Sequence, residues 1–285
     1  MLSSVLNHAA AYPKRLAAAL THDPAALIDK LQDRIVQTWE YRNPVHHYEA
    51  QYDWEHTLHN WLGLDWPCAQ QSEFWTPWLQ TVEHVRGQGV NVGPESFAGF
   101  NDGDTALVRA IWCLVRHLRP QQVVETGVAH GFTSRLILEA LARNGSGGLF
   151  SIDRPPLNPE TRARVGIAVP PNLRSRWNLI AGSSRRRLPG LLKSLGTIDL
   201  FIHDSLHTER NVRFELDRAW RSLRPGGALV IDDIDSNGGF GSFCRAFSGF
   251  RAVICEAEPV RPDERRFNRK GLFAIVLKDN PSTSE

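Results

Sequence analysis

Short apolar runs alternate with segments of helical periodicity from about residue 107 to residue 277. Runs of Val, Ile, Leu, Phe and Ala bounded by turn residues are typical of strands that are buried on both faces. The predicted strands cover residues 123–125, 149–153, 177–181, 198–203, 228–231, 252–256 and 272–277. Alternating strands and helices predict an α/β fold with a doubly wound, mostly parallel, seven-stranded sheet that is covered by helices on both faces.

The helices between these strands have clear signatures. Asp104 or Thr105 is expected to cap a helix whose apolar face runs from Leu107 to Leu118, and Pro120 ends it. A second helix is indicated by Val212, Leu216, Ala219, Trp220 and Leu223, which recur at helical spacing.

Residues 1–100 differ in composition from the rest of the chain, because they are rich in Trp, His, Tyr and Gln and poor in β-branched runs. We therefore divide the chain into a helical appendage, residues 1–100, and a domain of residues 101–285. Asp23 and Pro24 predict the start of a helix over residues 24–40. One face of this helix carries Leu27, Ile28, Leu31, Ile35 and Val36.

The tryptophans and histidines of the appendage leave its role open. Histidines three residues apart could bind a metal ion, but the pattern contains no evident cysteine or carboxylate to complete a set. A packed aromatic face is favoured. It would act as a lid, as the wall of a substrate pocket or as a contact in a homo-oligomer.

Composition excludes several classes of function. The chain has 285 residues and a net charge of +2, so no polyanionic partner is indicated in spite of local arginine clusters. The four cysteines are scattered, which argues against a disulfide framework and fits the reducing cytoplasm. No apolar run approaches the length of a membrane span.

The stretch of residues 122–134 combines a strand, a tight turn and the start of a helix. Gly127 and Gly131 allow positive φ and a close approach of the backbone to a ligand. The N–H groups that open the following helix attract negative charge. A nucleotide-like cofactor is therefore expected here, and a Rossmann dehydrogenase is one alternative for this motif alone.

Polar side chains end most of the other predicted strands. They are Glu125, Asp153, Ser183, Asp204, Asp232 and Asp233. Ligands of such sheets bind at the carboxyl ends of the strands. Because clustered acids repel one another, a cation or a donor-rich ligand is expected at this edge.

From about residue 107 to residue 277 the chain resembles the class I S-adenosylmethionine-dependent methyltransferases, which have a Rossmann-like methyltransferase fold. It is most similar to metal-dependent small-molecule O-methyltransferases of the catechol, TylF-like and cephalosporin-hydroxylase-like kinds. The motifs that carry the resemblance are residues 124–131 (V-E-T-G-V-A-H-G), 152–153 (I-D), 202–207 (I-H-D-S-L-H), 223–227 (L-R-P-G-G) and 230–233 (V-I-D-D). A helix that ends in L-R-P-G-G before a strand with paired acids is the most specific of these.

The resemblance implies how S-adenosylmethionine is bound. The methionine end of the cofactor would lie at the glycine loop, the ribose at the acid that ends the second strand, and the adenine near the turn after the third strand. The residues concerned are Gly127, Gly131 and Thr133 or Ser134 for the methionine end, Asp153 for the ribose, and Ser183 and Ser184 for the adenine. Glu125 would order the loop or meet the cofactor's ammonium.

The resemblance also implies a site for Mg²⁺ or a similar divalent cation, held by Asp204, Asp232 and Asp233. His207 is the expected general base, or else it orients the site while Asp204 takes the proton. The alternative is that these acids only cap a loop and a helix.

The expected function is transfer of a methyl group from S-adenosylmethionine to a hydroxyl of a small molecule, preferably a sugar or a glycosylated natural product. Three alternatives stay open: a metal-independent or N-directed methyltransferase, a cofactor-binding protein without catalysis, and an enzyme of nucleic acids.

Overall fold

The structure is a computed structural model. It describes residues 28, 32–33, 35–36, 40, 47–90, 103–154, 156, 159–258, 260 and 271–280. The predicted boundary at residue 100 and the arginine-rich segment of residues 261–270 lie outside these ranges.

A seven-stranded sheet forms the centre of the molecule. Its strands are β1 Gln122–Thr126, β2 Gly148–Asp153, β3 Trp177–Ala181, β4 Ile198–His203, β5 Leu223–Ile231, β6 Phe250–Glu256 and β7 Leu272–Lys278. The spatial order is β3-β2-β1-β4-β5-β7-β6, and β7 runs antiparallel to both β5 and β6. The predicted fold class and all seven predicted strands are confirmed.

The helices cover both faces of this sheet. They are α1 Trp54–Trp61, α2 Ala69–Ser72, α3 Trp75–Gly87, α4 Thr105–Leu118, α5 Phe132–Asn144, α6 Pro159–Arg162, α7 Ser184–Leu195, α8 Glu209–Ser222 and α9 Gly239–Ala246, with a 3-10 turn at Pro171–Arg176. Asp104 caps α4 as predicted, because its Oδ1 accepts hydrogen bonds from the N–H groups of Ala106 at 3.0 Å and Leu107 at 3.3 Å.

The L-R-P-G-G motif lies in β5 and does not end a helix, which corrects the prediction. Helix α8 ends at Ser222, and Leu223 pairs with Ile198 of β4. The register shifts between Ile198 and Leu200, so the motif forms an irregular start of the strand.

The aromatic segment after residue 50 is part of the main core. Trp54, Leu58, Phe74 and Trp78 are buried in one cluster with residues of α4, α5 and the sheet. The indole N–H of Trp78 donates a hydrogen bond of 2.9 Å to the carbonyl of Val260. A packed aromatic face was the favoured interpretation, and the packing agrees with it.

The predicted helix of residues 24–40 is helical at each of its described positions. Its apolar face, however, does not point inward at Ile28 and Ile35, which are 53% and 71% exposed. Asp33 is buried instead and pairs with Arg154 and Arg185. The ion pairs of Asp33 therefore hold this side of the helix, which the hydrophobic periodicity did not indicate.

Within the described ranges, none of the helices combines the length and the apolar character that a membrane span requires.

Candidate active site

The site lies where the order of the strands reverses. The chain passes from β1 outward to β2 and β3, and then crosses to β4 on the other side of β1. The loops after β1 and β4 therefore diverge and leave a crevice at the carboxyl edge of the sheet. They meet at its base, where the N–H of Asp204 donates a hydrogen bond of 2.9 Å to the carbonyl of Thr126.

The glycine loop after β1 is a compact turn with positive φ angles of 87° at Gly127, 48° at Ala129 and 86° at Gly131. A Cβ atom on Gly127 would lie 1.7 Å from the carbonyl oxygen of Asp204, and one on Gly131 would lie 2.9 Å from Cα of Gly166. Both glycines are thus needed for the loop to pack against neighbouring backbone, which differs from the expected role of making room for a cofactor.

Glu125 lies under the glycine loop and is fully buried. Its Oε2 accepts hydrogen bonds from the hydroxyls of Ser134 at 2.7 Å and Ser151 at 2.6 Å. Its Oε1 has no partner among the described residues and is closed off from solvent. This geometry suits an acid that orders the loop better than one that meets the cofactor's ammonium. The Ser134 hydroxyl is occupied by its hydrogen bond to Glu125, so the Thr133 hydroxyl is the more accessible of the two predicted hydroxyl groups.

Burial raises the pKa of Glu125 to about 8, against the opposing effect of the two serine hydrogen bonds. A carboxyl group whose pKa is raised on folding supports stability below its unfolded pKa of about 4.5 and loses that support as the pH rises through about 8. We expect the Tm of the cofactor-free protein to fall by roughly 10 °C between pH 5 and pH 8.

In Glu125→Gln the fall should be smaller, because the amide does not ionise, while the raised pKa values of Asp232 and His207 keep part of it. Thermal unfolding measured at both pH values checks the prediction. Glu139→Gln, in an ion pair on the outer side of α5, is the control and should retain the fall. An unchanged pH dependence in Glu125→Gln would contradict the assignment.

The expected ribose and adenine positions lie beside the glycine loop. Asp153 ends β2, and its Oδ1 accepts a hydrogen bond of 3.2 Å from the N–H of Val128. Ser183 caps α7 after β3. Ser184 is 9% exposed and its hydroxyl donates to Oδ1 of Asn211 at 3.4 Å, so it faces α8 rather than the crevice.

The acids after β4 and β5 converge with His207 on the opposite side of the crevice. Metal-ligating atoms of Asp204, His207 and Asp232 lie within 4.8 Å of one another. Asp233 Oδ2 lies 2.9 Å from Nδ1 of His207, whose Nε2 is 3.8 Å from Oδ1 of Asp204. Asp233 has a φ of 49°, in the left-handed region that Asp and Asn adopt more readily than other non-glycine residues.

The electrostatics of this cluster fit a bound cation. Burial and then the charges of Asp233 and Asp204 raise the pKa of Asp232 well above its ordinary value. Burial lowers the pKa of His207, but Asp233, Asp232 and Asp204 together raise it to about 10. The buried Nε2 of His207 has no hydrogen-bond partner among the described residues. Two carboxylates and one open imidazole nitrogen are a donor set for a divalent metal.

A buried polar network supports the cluster from below, and the sequence pattern did not reveal it. Glu215 of α8 accepts hydrogen bonds from Thr126 at 2.6 Å, His203 at 2.7 Å, Ser205 at 2.8 Å and Asn211 at 2.8 Å. It thereby ties the end of β1 to the end of β4. Although burial opposes ionisation, His203 above all lowers the pKa of Glu215 to about 2.

A second group of metal-ligating side chains lies away from the crevice. It comprises His59, Cys68 and His117, whose ligand atoms lie within 4.8 Å of one another. A hydrogen bond with Cys113 is the largest of the effects that lower the pKa of the Cys68 thiol to about 4, with His117 and His59 contributing. The sequence analysis did not identify this group, because its members are far apart in the chain.

Comparison with known proteins agrees with this architecture. Residues 124–234 match the family model described as a methyltransferase domain. No curated protein sequence matches the chain.

Solved structures share the fold. TomG from Streptomyces achromogenes, an O-methyltransferase involved in tomaymycin synthesis and solved with S-adenosylmethionine, aligns at 15% identity with a TM-score of 0.52, over 72% of this chain and 90% of that chain. An O-methyltransferase from Bacillus cereus, solved with SAH, aligns at 12% identity with a TM-score of 0.52, over 78% of this chain and 97% of that chain.

At these identities the structural likeness establishes the fold, and the matched domain contains both the glycine loop and the acids after β4 and β5. Residues 124–234 therefore match a methyltransferase domain, and the sheet has the fold of the O-methyltransferases above.

Proposed function

We propose that the protein transfers a methyl group from S-adenosylmethionine to a hydroxyl oxygen of a small molecule, with the help of a divalent cation. The observation that carries this proposal is the crevice between β1 and β4. It has a tight glycine loop on one side and the cluster of Asp204, His207 and Asp232 on the other. A donor loop and a site for an activated hydroxyl thus lie across one gap, as methyl transfer requires.

The glycine loop and the start of α5 hold the methionine end of the cofactor. Gly127 and Gly131 keep the loop in its tight turn, Thr133 offers a hydroxyl and the first N–H groups of α5 favour the cofactor's carboxylate. Asp153 at the end of β2 is the acceptor for the ribose hydroxyls, and Ser183 borders the adenine.

Asp204 and Asp232 would hold the cation, with either His207 or the predicted Asp233 as a third ligand. Asp233 bonds Nδ1 of His207 at 2.9 Å, which orients the ring so that Nε2 faces the cluster. A bound divalent ion supplies a Lewis acid that lowers the pKa of a coordinated hydroxyl. An imidazole ligand suits Mn²⁺ or Zn²⁺ as well as the predicted Mg²⁺.

His207 would be the base that takes the hydroxyl proton. Surrounded by carboxylates alone it stays protonated at neutral pH, since its pKa is about 10. It can accept a proton only when positive charge nearby offsets those carboxylates. If His207 is a ligand instead, Asp204 would take the proton.

The acceptor is expected to be a sugar or another hydroxylated natural product. The TylF-like resemblance supports this class, and TomG, which shares the fold, acts in tomaymycin synthesis. The aromatic segment adds little to the argument, because Trp54 and Trp78 are buried in the core.

Calorimetric titration with S-adenosylmethionine tests the cofactor, and the release of S-adenosylhomocysteine with a panel of sugar, catechol and macrolide acceptors tests the reaction. We expect cofactor binding without added metal and turnover that EDTA abolishes and Mn²⁺ or Mg²⁺ restores. Turnover that EDTA does not change would identify a metal-independent enzyme. Cofactor binding with no turnover on any acceptor would favour a non-catalytic protein, and absence of binding would refute the proposal.

The N-terminal helix should act as a lid over the cofactor. Asp33 pairs with Arg154, next to Asp153 after β2, and its Oδ1 lies 3.7 Å from Nη1 of Arg185 after β3. Glu40 accepts a hydrogen bond of 2.9 Å from the N–H of Glu209 after β4. The helix thus touches three of the loops that surround the crevice.

Asp33→Asn should loosen this lid and raise the Kd for S-adenosylmethionine about fivefold, because it removes the charge that both arginines share. Calorimetry at low and high salt measures the change. Asp217→Asn, which breaks an exposed ion pair with Arg221 on α8, should leave the Kd unchanged. Equal affinities of Asp33→Asn and the unchanged protein would rule out the lid.

A further inference from the structure

The His59, Cys68 and His117 group joins three parts of the chain that are distant in sequence. His59 lies on α1, Cys68 lies in the turn before α2 and His117 lies near the end of α4. Cys113 is one helical turn before His117 on the same face of α4 and lies beside Cys68. The three side chains of the group thus connect the aromatic segment to the helix that packs on the sheet.

The protonation of His59 is determined by its surroundings. Its Nδ1 lies 2.7 Å from the carbonyl oxygen of Glu55. A carbonyl oxygen only accepts hydrogen bonds, so Nδ1 carries a proton and donates it. Nε2, on the other side of the ring, lies 3.0 Å from Sγ of Cys68. A hydrogen bond from one ring nitrogen to a backbone carbonyl orients a histidine so that its other ring nitrogen can bind a metal.

The distances in the cluster are close to those of a tetrahedral metal site. Nε2 of His117 lies 3.4 Å from the same Sγ atom. With metal–sulfur and metal–nitrogen bonds of about 2.3 and 2.0 Å, sulfur and nitrogen ligands of one tetrahedral ion are separated by about 3.6 Å. The observed 3.0 and 3.4 Å therefore require shifts of only a few tenths of an ångström.

The accessibility of the ligands also suits an ion. His59 is fully buried, whereas Cys68 and His117 are half-buried and provide a path from solvent. We infer that His59, Cys68 and His117 form a second metal site, which takes a thiophilic divalent ion such as Zn²⁺ and fastens the aromatic segment to α4. On binding, the Cys68 thiol proton leaves for solvent and one sulfur–metal bond forms.

The site is tested with Co²⁺ and Zn²⁺ on the full chain after removal of metal by a chelator. Excess Mg²⁺ occupies the acidic cluster during the titration. We expect one equivalent of Co²⁺ to produce a thiolate-to-cobalt charge-transfer band, and Zn²⁺ to displace it. Saturating Zn²⁺ should raise the Tm by about 5 °C.

Cys68→Ala should abolish the charge-transfer band and weaken Zn²⁺ binding at least about 100-fold, and His117→Ala should weaken it strongly. Two controls should behave as the unchanged protein: Cys244→Ser, an exposed cysteine, and His56→Ala, an exposed histidine on the same helix as His59. The double variant Asp204→Asn/Asp232→Asn should also keep the band, which separates this site from the proposed methyltransferase centre.

A measurement on the unchanged protein covers the case in which a variant does not fold. Zn²⁺ should protect Cys68 from iodoacetamide, as determined by peptide mass spectrometry. Alkylation of Cys68 at the same rate with and without Zn²⁺ would identify a reactive thiolate and overturn the metal site. A Cys68–Cys113 disulfide in the freshly prepared, metal-free protein would overturn it as well.

Discussion

Asp232→Asn is expected to lower kcat/KM at least 100-fold while it raises the Tm of the metal-free protein. Activity falls because one carboxylate of the proposed cation site is lost. Stability rises because the pKa of Asp232 is held well above its ordinary value by burial and by the charges of Asp233 and Asp204. A neutral amide relieves that repulsion, which is the usual relation between function and stability at a strained site.

Steady-state kinetics with saturating cofactor and thermal unfolding in EDTA measure the two effects. The Kd for S-adenosylmethionine should change less than about threefold, because the predicted cofactor residues lie on the other side of the crevice. Asp235→Asn is the matched control. Its side chain accepts a hydrogen bond of 3.2 Å from the N–H of Leu272, which an amide oxygen can also accept. Full activity of Asp232→Asn, or a lowered Tm, would contradict the assignment.

Gly127→Ala is expected to lower the free energy of unfolding by at least about 3 kcal/mol, or the Tm by roughly 6–12 °C. The new methyl group would lie 1.7 Å from the carbonyl oxygen of Asp204, at a φ of 87° that L-residues avoid. The backbone of the glycine loop or of the loop after β4 must move to make room, so the affinity for S-adenosylmethionine should fall as well.

Gly145→Ala separates the clash from the conformational strain. Gly145 has a φ of 75° at the end of α5, and a Cβ there would meet nothing within 4 Å. This variant should lose only about 1 kcal/mol, or 2–4 °C in Tm, and should bind the cofactor normally. Equal losses in both variants would mean that the contact between the two loops is not tight.

The strands and most helices could be predicted because their signals are local. Residues of β1 and β4 such as Val124 and Phe201 are fully buried, and the apolar runs that contain them cannot be exposed at acceptable cost. The caps of α4 and α8 likewise depend on residues a few positions apart.

The N-terminal helix shows where local pattern fails. Its periodicity placed Ile28 and Ile35 on one apolar face, but both are exposed, and the buried Asp33 pairs with arginines more than 100 residues away. Hydrophobic periodicity cannot reveal a charged partner that is so distant in the sequence.

For the candidate site, the sequence could predict only which residues follow the ends of strands, and not how their side chains are arranged. The acids and glycines were identified because they follow predicted strands, and strand ends converge in this type of sheet. Which nitrogen of His207 faces the cluster, how Glu215 joins β1 to β4, and that Cys68 meets two histidines all depend on pairs of residues from different elements.

The sequence by itself determined the α/β class, the strand positions and the edge of the sheet where ligands bind, because hydrophobic burial and turn chemistry act over a few neighbouring residues. Only the tertiary structure decided which polar atoms face one another across the crevice and in the cysteine–histidine cluster. Hydrogen bonds and metal ligation depend on tenths of an ångström between distant segments, and that precision exists only after the chain has packed.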